Sequence, residues 1–175
     1  MRQRQRFDVR DLALLGILFS VSLALTAFET FLPPIPFMPP GVKIGLSNIV
    51  TMYCLFCLNK RSVFMLVALK SCFVFMISGF TAFLLSLAGG LLSAGVMILL
   101  AAAFPGVSYL LLSVAGAVSH NIGQIIAAAL IMNSAMLAVA YLPVLIISGV
   151  IMGNITGTLL RFVMPALLKL RINKK

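Results

Sequence analysis

A small set of polar residues carries whatever chemistry this apolar chain can perform. Lys43 stands in PPGVKIG and Lys70 in VALKSC, while His120, Asn121 and Gln124 share the stretch SHNIGQ. Asn48 follows Lys43 by five positions, and Glu29 lies just upstream of a proline-rich segment. An ammonium group attracts a carboxylate or phosphate, an imidazole adds a donor or acceptor, and amides read the remaining polar atoms. In helical spacing His120 and Gln124 are i and i+4, hence on one face, with Ala117 and Gly123 leaving room beside them. The combination suits recognition of an anion.

These residues must be held by membrane-spanning helices. Hydrophobic residues make up 62% of the 175 and charged residues 9%, more apolar surface than a soluble domain of this size could bury. The apolar runs approach the roughly 20 residues that a helix needs to cross a bilayer, and they lack the alternation of barrel strands. The sequence predicts spans at about 12–32, 45–58, 62–78, 81–104, 109–132 and 136–162. The predicted breaks are the proline-rich loop, NKR at 59–61, SGFT at 78–81, FPG at 104–106 and NSA at 133–135. The second span is short enough to be partly re-entrant. The expected fold is therefore all-α, with six transmembrane helices in one compact bundle. Residues 1–11 form a basic N-terminus, 12–162 the bundle and 163–175 a basic tail.

The net charge of +10 would suggest nucleic acid in a soluble chain, but here the cations report topology. Arg2, Arg4, Arg6 and Arg10 precede the first span, and Lys60 and Arg61 join the second to the third. Arg161, Lys169, Arg171, Lys174 and Lys175 close the chain. All fall on one predicted side, so both termini are expected in the cytoplasm of a bacterial cell whose plasma membrane the chain crosses repeatedly. The start MRQRQRFDVRD resembles a signal-peptide n-region, but the apolar run is long for an h-region and more spans follow it. Lys43 and Lys70 are the cations that topology leaves over.

Depth separates them from the rest. Counted from the outer end, Glu29 is about 5 Å below it, Asn48 about 7 Å, Gln124 and Lys70 about 12 Å, and His120 and Asn121 about 17 Å, with Lys43 at the rim. Ionisable groups at such depths usually face a cavity or a partner. Lys70 cannot easily snorkel to either surface and is expected to pair with Glu29, a bound anion or both. Five prolines between residues 33 and 40 stiffen the outer loop, which reads either as a preformed lid over a site or as a plain helix stop with Lys43 anchoring the next span. Phe37, Met38 and Phe80 are candidate apolar walls.

Small residues recur every fourth position: Gly16, Ser20 and Ala24; Ser86, Gly90 and Ala94; Ala115, Ser119, Gly123 and Ala127; Gly149, Gly153 and Gly157. Helix backbones approach closely along such stripes. Most are expected to pack internally, while Gly16 and Ser20 in the first span are candidates for docking a partner subunit. Cys54 and Cys57 form a C-x-x-C, but no second pair or adjacent histidine accompanies them. They read as small buried hydrophobes, with no metal site.

The segments PGVKIGLSNIV, SLAGGLLS, VAGAVSHNIGQ and YLPVLIISGVIMGNITG resemble the Gx transporter family, often labelled heptaprenyl diphosphate synthase component I. The layout is also similar to the substrate-binding S components of energy-coupling factor (ECF) transporters. The resemblance covers nearly the whole chain. It implies a six-helix protein that captures a small molecule from outside and associates with a transmembrane T component and two ATPases. S components commonly dock through small residues in the first span; Gly16 and Ser20 match in kind, although alanines are usual there. The chain has no G-x-x-x-x-G-K-[ST] motif, so ATP hydrolysis would come from other subunits.

The synthase label finds less support in the residues. Prenyl chain elongation needs clustered aspartates that hold magnesium, and the only acids are Asp8, Asp11 and Glu29, at opposite ends of one span. The expectation is a non-enzymatic subunit without a cofactor, binding a small anionic or amphipathic solute through Glu29, Lys43, Asn48, Lys70, His120, Asn121 and Gln124. The alternative is a non-catalytic accessory subunit of an isoprenoid, quinone or redox complex. A proton-coupled carrier using Glu29 and His120 is disfavoured, because no span shows the paired broken helices common in inverted-repeat carriers.

Overall fold

The computed structural model describes residues 9–31 and 45–172, and every regular element among them is a helix. These are α1 (Val9–Phe31), α2 (Ser47–Cys57), α3 (Lys60–Ala103), α4 (Tyr109–Ile131) and α5 (Ala135–Ile172). A helix satisfies its own backbone groups, which hydrocarbon cannot do. Aliphatic side chains then turn outward: Met76, Ile77, Leu99, Leu130, Val139 and Phe162 are all exposed. Lys60–Ala103, Tyr109–Ile131 and Val139–Pro165 are long and apolar enough to cross a membrane.

The longest helix is a hairpin. Gly79 interrupts α3 with φ 84° and ψ −175°, a conformation open to glycine but strained for other residues. The two arms, 60–78 and 80–103, fold back on each other. The Ser71 and Ser86 hydroxyls lie 3.4 Å apart, and a Cβ added at Gly90 would meet Val67 Cγ1 at 2.6 Å. In a straight helix Ser71 and Ser86 would be about 22 Å apart. The predicted break at 78–81 is therefore present as a single non-helical residue. Phe75, Phe80 and Phe83 cluster at its tip, with ring centroids 5.9–6.4 Å apart.

The other turns fall at the predicted places. Gly106 has φ +90° after Pro105, and the Ser108 hydroxyl caps α4 by accepting from the Leu111 amide at 3.2 Å. Asn133, at φ 49°, turns the chain from α4 into α5. Two boundaries differ from expectation. Helix α5 carries Pro143 and Pro165 within it and continues to Ile172, well past the predicted end at 162.

The second difference is that α2 has 11 residues, about 16 Å and half a crossing. It is nevertheless the centre of the molecule, touching every other helix. On one side Val50 and Cys54 pack with Leu15, Leu66, Val67 and Ala94; on the other, Met52 and Cys57 pack with Met97, Leu112, Leu160 and Met164. Both cysteines of the C-x-x-C are thus buried among apolar side chains, in different clusters.

Helices α4 and α5 meet along glycines. Cβ atoms added at Gly149, Gly153 and Gly157 would fall 2.5–3.0 Å from the Cα atoms of Val118, Val114 and Leu110. The pair is also pinned by a buried hydrogen bond between the Ser113 and Thr156 hydroxyls at 2.8 Å. Such bonds are worth only about 0.6 kcal/mol in membrane proteins, because the separated helices find other partners. Thr156→Val is therefore expected to lower the thermal unfolding temperature of the detergent-purified protein only slightly. A large drop would mean that the hydroxyl pair dominates the interface.

Candidate functional site

Helix α2 begins beside Lys70, whose Nζ donates to the Ser47 hydroxyl at 3.0 Å. Lys70 lies ten positions along the first arm of α3, so the start of α2 lies level with the middle of that arm. No side chain caps that start. The Asn48 and Ile49 amides of its first turn donate to the Gly45 and Leu46 carbonyls at 2.8 and 3.0 Å, so what the helix start adds beside the ammonium is its dipole, not open N–H groups.

His120 joins from α4. Its ring lies over Gly89 on the second arm of α3. A Cβ on Gly89 would meet Gln124 Cγ at 2.8 Å and His120 Cε1 at 3.0 Å, so both side chains lie over this glycine, as their i, i+4 spacing predicts. Gly123 faces the same arm, where an added Cβ would fall 2.7 Å from the Ala88 carbonyl oxygen. Close approach of two glycine-bearing backbones leaves the imidazole and the amide lying across the junction.

Asn48 and Asn121 occupy different places. The Asn48 amide nitrogen would lie 3.4 Å from a Cβ on Gly116, one turn before His120 on α4. Asn48 therefore lies level with the first half of α4, because α2 starts partway along the bundle and not at its end. Asn121 is rotated toward α5, where its Nδ2 donates to the Leu145 carbonyl at 2.8 Å and approaches the Ser148 hydroxyl at 3.4 Å. Ser148 donates to the same carbonyl at 3.0 Å. That amide ties α4 to α5 downstream of Pro143.

Thus Lys70 meets the beginning of α2, which carries Asn48, and His120 and Gln124 lie over Gly89, while Asn121 faces α5. Glu29 belongs to α1, but its side chain, like the whole of Phe37, Met38 and Lys43, lies outside the described residues. Phe80 is exposed at the hairpin tip. Ser47 was missed in the sequence, although its position next to Asn48 was the available signal. Two cavities of about 370 Å³ lie elsewhere. One, between Phe56, Phe104 and Tyr109, adjoins the loop before α4; the other is a shallow groove on α5 beside Asn154 and Thr158.

Fold and composition together define an α-helical membrane protein. The chain belongs to the heptaprenyl diphosphate synthase component I family, whose model matches residues 18–163. Comparison with curated proteins and with solved structures gave no match.

Proposed function

We propose that the chain is a substrate-binding membrane subunit of the S-component kind, capturing a small anionic or amphipathic solute from outside the cell for uptake. One observation carries this reading: Lys70, midway along the first arm of α3, donates to the Ser47 hydroxyl at the start of α2 at 3.0 Å. Broken or shortened helices whose N-termini face the membrane interior suit anionic solutes, because dipole and ammonium act together. Glu29 and Lys43 complete the proposed site from the outer side, with Asn121 in its supporting shell. The proposal retains six helical segments crossing or entering a bacterial plasma membrane, with both termini in the cytoplasm.

Uptake then needs a T component and ATPase subunits as partners. On α1, Leu15 and Ser22 are buried, whereas Gly16 and Ser20 are exposed. A Cβ on Gly16 would meet nothing within 4 Å, and the Ser20 hydroxyl donates to its own helix at the Gly16 carbonyl, at 3.0 Å. Gly16→Leu is expected to leave the purified subunit folded and to reduce its co-purification with ATPase subunits at least tenfold. Unchanged recovery would remove this face as the docking surface. Recovery of no ATPase subunit with the unaltered chain would remove the S-component reading itself.

The second reading, a non-catalytic accessory subunit of a prenyl diphosphate or redox complex, is favoured by the family description, which names a component of a synthase. The internal use of Asn121 also fits a packed polar network. With so few carboxylates to hold magnesium, the chain would assist rather than catalyse. Co-purification of a soluble prenyltransferase from native membranes would select this reading.

A further inference from the structure

Two polar groups of α4 find partners on α5: the Ser113 hydroxyl pairs with Thr156, and the Asn121 amide reaches the Leu145 carbonyl. Asn154 is placed differently. It stands about 3 Å along the axis from the midpoint of the Val139–Pro165 span, half-buried, and lines the shallow groove that it shares with Ile155, Thr158 and Leu159. Its one side-chain hydrogen bond among the described residues runs from Nδ2 to the Val150 carbonyl of its own helix, at 2.8 Å. That bond uses one of two amide hydrogens and leaves the second, with the amide oxygen, unused. In hydrocarbon such groups carry a desolvation cost that a second helix relieves.

The surroundings have the pattern of a helix-packing face. Ile147, Ile151, Asn154 and Thr158 follow one another by four, three and four residues and so form one stripe, in which the isoleucines are 61% and 46% exposed. Another face of α5 is already occupied, because Gly149, Gly153 and Gly157 pack against α4. Among the described residues α1 packs on α2 and α3 and not on α5. The stripe is therefore separate from the face that carries Gly16 and Ser20.

We propose that this stripe docks a second copy of the chain, with Asn154 of each copy paired to its counterpart about a two-fold axis along the membrane normal. Depth and chemistry select that occupant. Copies of one chain insert with the same sidedness, so across such an axis a residue meets itself at its own level. A carboxamide is self-complementary: each donates its spare N–H to the other's oxygen, and two reciprocal hydrogen bonds form. A lipid tail offers nothing to either atom. A single asparagine in such a stripe also fixes the register of paired helices. The dimer stands whether or not the chain binds a solute.

Energy transfer between donor- and acceptor-labelled full-length chains in phosphatidylcholine vesicles tests this, over a range of protein-to-lipid ratios. Unaltered chains are expected to give transfer above random crowding that rises to the plateau of a dimer. Asn154→Leu, which suits a lipid-facing position, should weaken association about fivefold to tenfold, because each dimer loses two bonds. Asn154→Gln should keep part of the association, and Thr158→Phe, which fills the groove, should weaken it independently. No transfer above crowding with unaltered chains overturns the dimer and leaves the groove to lipid or to a different membrane subunit. Association that survives both Asn154→Leu and Thr158→Phe unchanged overturns the stripe as its interface.

Discussion

Lys70→Ala is expected to weaken binding of a small carboxylate about 30-fold or more, equivalent to roughly 2 kcal/mol or more, because it removes the cation proposed to meet the solute's anion. The ammonium is held half-buried by the Ser47 hydroxyl, in surroundings of low dielectric where charge-assisted hydrogen bonds are strong. Lys70→Arg should recover part of the affinity, since charge is kept while the compact ammonium becomes a planar fork. Titration of folded, monodisperse protein checks both. An affinity unchanged by Lys70→Ala would end the proposal that this cluster receives a solute.

The second large effect concerns stability, and its sign changes with position. Alanine normally stabilises a helix relative to glycine, by about 0.5–1 kcal/mol. At Gly95 an added Cβ meets nothing within 4 Å, so Gly95→Ala should be neutral or stabilising. At Gly153 the same methyl would lie 2.5 Å from Val114 Cα and 3.0 Å from Val114 N. Those are backbone atoms of a packed helix and cannot swing aside. Gly153→Ala should therefore force α4 from α5 at a cost of about 3 kcal/mol, and break the Ser113–Thr156 contact as well. Thermal aggregation midpoints in detergent give the comparison. A Gly153→Ala protein as stable as Gly95→Ala would refute the packing between α4 and α5 described above.

The sequence made the helices and most of their breaks readable, because apolar runs and the FPG and NSA turns follow from local chemistry. The glycine stripe of α5 was readable for the same reason: a four-residue repeat has few uses besides close packing. Depth was less accessible. Asn48 was placed by counting from the apparent end of a span, and that count fails when a helix starts partway along the bundle. Orientation between helices was also hidden. Adjacent residues His120 and Asn121 are turned by about 100° on a helix, and only packing assigns one to α3 and the other to α5.

The reversal at Gly79 has a consequence for mapping which side of the bilayer each segment reaches. A reporter domain inserted at 78–81 would have no slack to occupy, since one residue makes the whole turn and the serine pair clips the arms behind it. Such a fusion would report a damaged hairpin instead of a sidedness. The connections at 104–108 and 132–134 offer exposed, non-helical chain on either side of α4, and sidedness is better read there.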